Sequence, residues 1–135
     1  MRIARIALVM TLGSCSAALA TVALGHHSFA AQYDVNKPIT LTGKVTKVEW
    51  TNPHVYFHVD VRDETTGDVV NWSLEVGGGP NTLIRRGWTR NSLKPDDVVT
   101  VEGSLARDGS HLAHAATVVL ASSGQKLFAS QNDGQ

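Results

Sequence analysis

From residue 54 to residue 62 the chain alternates strictly, with Val55, Phe57, Val59 and Val61 on one side and His54, Tyr56, His58 and Asp60 on the other. A period of two over that length commits the segment to a half-buried β-strand with one face against a core. The other apolar segments follow the same rule. Residues 39–50 set Ile39, Leu41 and Val45 against Thr40, Thr42 and Lys44, and the pattern slips near Lys47, which predicts a bulge. Residues 69–76 place Val70, Trp72, Leu74 and Val76 together, and the polar turn at 63–68 makes a hairpin of this strand and the one before it. Two further strands, 98–103 and 113–120, are joined by the turn at Arg107-Asp108-Gly109.

Gly77-Gly78-Gly79-Pro80 interrupts this pattern, and 81–86 read as a short helix with Pro80 in its first turn and Gly87 as its stop. Five strands with a helix between the third and fourth predict a mainly β fold, a small OB-like five-stranded barrel. The expected division is a leader at 1–25, an amino-terminal arm at 26–37, the β domain at 38–121 and a tail at 122–135.

Arg2 and Arg5 precede an apolar run at 6–24 that closes in Ala23-Leu24-Gly25, the order of a cleaved signal peptide. Export to the periplasm is the expectation. Leu12-Gly13-Ser14-Cys15 resembles a lipoprotein box, but little apolar chain precedes Cys15 and the run continues past it. An uncleaved anchor is disfavoured by the Gly, Ser, Thr and Ala content of a run near the spanning minimum. Cleavage leaves no stable membrane span, and it also removes Met1, Met10 and Cys15, so the mature chain has no sulfur. Disulfides, thiol catalysis and thiolate metal sites are thereby excluded. Removing Arg2 and Arg5 from a formally neutral chain leaves a charge of about −2, which argues against a nucleic-acid partner.

Six histidines remain: His26, His27, His54, His58, His111 and His114. Imidazole suits divalent copper and zinc. A mature chain beginning at His26 offers its amine and ring as a chelate, and one more imidazole completes the three-nitrogen set cupric copper takes. The candidate ligands are His26, His27, His54 and His58. The last two share a strand face but lie roughly 13 Å apart at about 3.3 Å per residue, so a regular strand lends only one of them to an ion. His111 and His114 have an odd separation and fall on opposite faces of a regular strand. The plainer reading makes His54 a strand cap after Pro53, His58 a solvated residue, and His26-His27 a polar arm. Asp34, Glu49 and Asp60 are available as acceptors to orient rings.

The glycine run with Arg85 and Arg86 nearby has the makings of an anion cradle, but no phosphate fingerprint accompanies it. Trp50, Trp72 and Trp88 read as core or lid residues. An interaction surface for an envelope protein would use Tyr56, Asp60, Gly78, Asn81, Arg85 and Trp88. Neither a nucleophile elbow nor an HExxH pair is present, so no enzyme is expected. A histidine-brace copper oxidase is the enzymatic alternative.

The stretches His26-His27-Ser28-Phe29-Ala30, Tyr33-Asp34, TLTGKVTKVEWTNPHVYFHVDV at 40–61 and RRGWTRNSLKPDD at 85–97 resemble an uncharacterised family of exported bacterial proteins, a domain of unknown function. The resemblance covers essentially the whole mature chain. It implies a small exported β domain and transfers no activity, ligand or catalytic residue. The strand order is similar, as architecture alone, to periplasmic OB-fold proteins linked to stress tolerance, a likeness that carries no function. The expectation is an exported binding module of unassigned ligand, with copper or zinc held through His26 as its sharper form and a protein-docking domain as its alternative.

Overall fold

The computed structural model describes residues 28–129, so the expected leader, His26, His27 and the end of the tail lie outside the described residues. Its elements are α1 (Phe29–Gln32), β1 (Tyr33–Glu49), β2 (Val55–Arg62), β3 (Val69–Val76), α2 (Pro80–Arg85), β4 (Val98–Ala106), β5 (Leu112–Leu120) and β6 (Lys126–Phe128). The alternation in β2 is realised: Val55, Phe57 and Val59 are buried, while Tyr56, His58 and Asp60 are only partly covered. β2 and β3 form the expected hairpin in unbroken register from Val55↔Val76 to Arg62↔Val69.

β1 is long enough to serve two neighbours. Its first part pairs with β4 and its last part with β2, and the register against β2 slips between Val45 and Lys47, where the pattern predicted a bulge. β5 then returns to lie parallel to β3 through Ser73↔Leu112, Leu74↔Ala113, Glu75↔His114 and Val76↔Ala115. Every other pairing is antiparallel, and the order β3-β2-β1-β4-β5 closes on itself as a ring of five strands. Its interior is filled by residues such as Leu41, Val45, Phe57, Leu74, Val101 and Val118.

The α2 segment closes part of this interior. Pro80 occupies the first helical turn, where a missing N–H loses nothing, and Leu83 is fully buried. Trp88 follows at 3 % exposure as part of the same core cluster. This indole is therefore an interior residue, as the core-or-lid reading has it and unlike the surface role that the docking alternative gives it.

The structure differs from expectation at both ends and in count. A sixth strand, β6, pairs with β5 inside the stretch read as a tail, and a second short helix, α1, precedes β1. β1 begins at Tyr33, within the stretch read as an arm, because Tyr33 pairs with Ala106 across a register shift that runs to Pro38. Among the described residues, no helix is long and apolar enough to cross a membrane.

Two glycines mark where backbones approach most closely. A Cβ at Gly43 would overlap the carbonyl oxygen of Asp60, and one at Gly103 would overlap that of His114. Gly103 also sits at the register shift between β4 and β5. Gly103→Ala is expected to destabilise the protein by about 1–3 kcal/mol, since backbone rather than a movable side chain must give way. Urea unfolding of the variant against wild type checks this.

Candidate functional site

The parallel return of β5 brings three residues side by side. Tyr56 of β2 faces Glu75 of β3, and Glu75 faces His114 of β5. Each alternates with core residues on its own strand: Val55 and Phe57, Leu74 and Val76, Ala113 and Ala115. The row therefore lies on the outer face of the ring. It is nevertheless covered, with Glu75 at 6 % and His114 at 9 % exposure.

The cover is the amino-terminal turn. Phe29 of α1 meets the His114 ring edge-on at 4.8 Å, and Tyr33 lies 5.4 Å from both rings. Arg107 anchors the turn: its backbone N–H donates to Gln32 O at 2.9 Å and its Nε to Ala30 O at 2.8 Å. A buried carboxylate without partners would be strongly unfavourable, and Glu75 has them. The Tyr33 hydroxyl donates to Oε2 at 2.6 Å, and the Tyr56 hydroxyl donates to the same oxygen at 2.9 Å. Burial, reinforced by the Glu75 carboxylate, raises both phenols, Tyr33 strongly and Tyr56 to about 12. Burial likewise lowers His114, against a smaller opposing pull from Glu75.

The second oxygen of Glu75 is differently placed. His54 Nδ1 lies 3.1 Å from Oε1. That nitrogen is buried and makes no hydrogen bond among the described residues, so the proximity is not matched by an aligned N–H. The rest of the His54 ring reaches solvent, with the side chain 35 % exposed. His54 follows the cis Asn52-Pro53 bond, which turns the chain into β2.

The structure separates the histidines that the sequence grouped. His58 projects from the next outward position of β2, and both of its ring nitrogens are engaged: Nε2 lies 2.8 Å from Glu49 Oε2 and Nδ1 lies 3.0 Å from Ser73 Oγ. It is held as part of a polar ladder rather than left solvated. His111 packs against Trp72 at 5.0 Å, away from His114. Asp60 accepts from Asn71 Nδ2 at 2.8 Å. Gly78 adopts φ 121, Asn81 is exposed, and Arg85 donates to Thr82 Oγ1 at 3.3 Å. Arg86, which stands near the glycine run without a phosphate fingerprint, donates to Gly77 O at 2.7 Å and Ala129 O at 3.1 Å, pinning the glycine run to the segment after β6. Among the described residues, no group of three or more His, Cys, Asp or Glu is arranged to hold a metal ion.

The sequence did not single out Glu75 or Tyr33 as site residues, and it ranked His114 with His111 below the other histidines. Glu75 sits between Leu74 and Val76 like any outward strand residue, and Tyr33 lay in a stretch without alternation. The one available signal was a carboxylate in a strand otherwise rich in apolar residues.

The sequence profile of a family of unknown function, DUF6152, matches residues 15–115. No curated protein and no solved structure matches the chain.

The titrations set the stability profile. Tyr56, raised in the fold, stabilises it fully below the unfolded phenol value near ~10 and loses that contribution as pH rises toward about 12. His114, lowered in the fold, acts oppositely, and its contribution is lost as pH falls below the unfolded imidazole value near ~6.5. Chemical denaturation across pH should show a plateau between these limits; His114→Gln should make the acid limb shallower, and Tyr56→Phe should make the alkaline limb shallower while Tyr33, raised by the same causes, sustains the rest of it.

Proposed function

The chain belongs to family DUF6152, a family of unknown function, and from its own geometry we propose an exported, periplasmic binding module of OB-like architecture that takes a divalent metal ion, copper or zinc, at His54 and Glu75. The ring order with its parallel β3-β5 closure supports the OB-like reading. The metal reading rests on one observation: a buried imidazole nitrogen without a hydrogen bond, 3.1 Å from a carboxylate oxygen that the tyrosines leave free. Two adjacent ligands, each about 2.1 Å from a divalent ion, stand ~3.0 Å apart, so this pair has the separation of a metal bite. The tyrosine hydroxyls on Oε2 supply the outer contacts that orient a ligating carboxylate.

Two ligands do not make a tight site. The remaining donors in this proposal are the amine and ring of His26 in the cleaved chain, with His27 beside it. Both histidines precede Ser28, where the described residues begin. His58 is the less suitable fourth candidate, because ligation would break its bonds to Glu49 and Ser73. An oxidase reading would need the same ion to turn over with a reductant, and no observation favours it.

Titration of the mature protein with Cu(II) and Zn(II), followed by calorimetry and native mass, should give one ion per chain. His54→Ala, Glu75→Gln and His26→Ala should each weaken binding at least about tenfold, and binding should weaken in acid as the donors protonate. A protein that takes up neither ion would sink this reading. The docking alternative would then stand on Ile84, an apolar side chain 57 % exposed on α2 between Asn81 and Arg85.

A further inference from the structure

A second polar row crosses the same outer face one step along the strands. His58 of β2 faces Ser73 of β3, and Glu49 at the end of β1 reaches the far side of the imidazole. Ser73 Oγ lies 3.0 Å from His58 Nδ1, and His58 Nε2 lies 2.8 Å from Glu49 Oε2. Lys47 binds the other oxygen of Glu49. The hydrogen bonds from Lys47 and then His58 hold the Glu49 carboxyl below its ordinary range. An ionised carboxylate only accepts, so the Nε2 facing it carries the proton. A neutral ring protonated at Nε2 presents a lone pair at Nδ1, and the Ser73 hydroxyl must donate to it. Hydroxyl, base and orienting carboxylate thus stand in the order that activates a serine. The side chain of His58 is 20 % exposed and Ser73 is half-buried, so neither residue is sealed in the core.

We propose that Ser73 is a nucleophile toward small activated esters, with His58 as its general base and Glu49 as a positioning residue. This site does not use His54 or Glu75, the pair on which the metal reading rests, and it keeps His58 on Glu49 and Ser73. Ser73 Oγ forms a bond to the acyl carbon while its proton passes to His58 Nδ1. The C–O bond to the leaving alcohol then breaks, and that oxygen takes the proton from His58. Water attacks the acyl-serine ester, giving a proton to His58, and the carboxylic acid departs as Ser73 regains its hydroxyl proton. The Ser73 backbone N–H is committed to His111 O at 2.9 Å, so the sheet lends no free amide there to the developing oxyanion. The substrates are therefore esters with good leaving groups, such as aryl acetates, for which base and nucleophile suffice.

The test incubates the intact protein with an alkyl fluorophosphonate and, separately, with p-nitrophenyl acetate, locating any adduct by peptide mass. One phosphonyl group on Ser73 is expected. His58→Gln should slow both reactions by about 10²- to 10⁴-fold, the usual share of general-base catalysis. Ser73→Ala should abolish labelling while circular dichroism stays unchanged, and Glu49→Asp should recover part of the rate lost in Glu49→Gln. No adduct on Ser73, or labelling at an undiminished rate in His58→Gln, would overturn the proposal. Adduct mapping on wild type decides the matter even if a variant fails to fold.

Discussion

The parallel pairing of β5 with β3 is the constraint on which the rest depends. Without it the sheet is open and its apolar face has no opposite wall. With it, Leu74 and Val76 meet Ala113 and Ala115 inside the ring. The period of two then works on both faces at once. Every residue that fills the core leaves its neighbour outside, and the register that aligns the core pairs also aligns Tyr56, Glu75 and His114.

A carboxylate in that outward row would ordinarily be solvated. Here the α1 turn and Tyr33 lie over it, so its charge must be answered locally. Two phenols answer on one oxygen, and an imidazole stands unaligned beside the other. Burying an ionisable group is a poor way to stabilise a fold, because even a well-bonded charge rarely improves on an apolar side chain of the same size. The two tyrosines fully satisfy one oxygen and leave the second to His54, an asymmetry that pure packing does not require.

Much of the β architecture was legible beforehand. The strict alternation at 55–61, the slip near Lys47, the hairpin and the proline-started helix all appear where the pattern placed them, since each is a local signal that nearest neighbours enforce. β6 was not legible: three residues carry too little periodicity, and Lys126–Phe128 is a strand only because β5 offers it an edge. Trp88 reads as core or lid, and only the docking alternative places it on a surface. An indole near a turn reads equally as lid, platform or core, and the packing of α2 onto the ring decides among them.

The candidate site shows the same division more sharply. By itself the sequence determined that this chain makes strands, which side chains share a face, and that residues 26–135 carry no sulfur. It placed His54 and His58 on one strand face; in the structure His58 lies in β2 and His54 immediately precedes it. Only the tertiary structure decided that Glu75 is buried, that Tyr33 caps it from forty-two positions away, and that Ser73 and Glu49 bracket His58. The physical reason is that hydrogen bonds between strands depend on register and closure. Those are set by how the whole core packs, not by any run of residues short enough to be read along the chain.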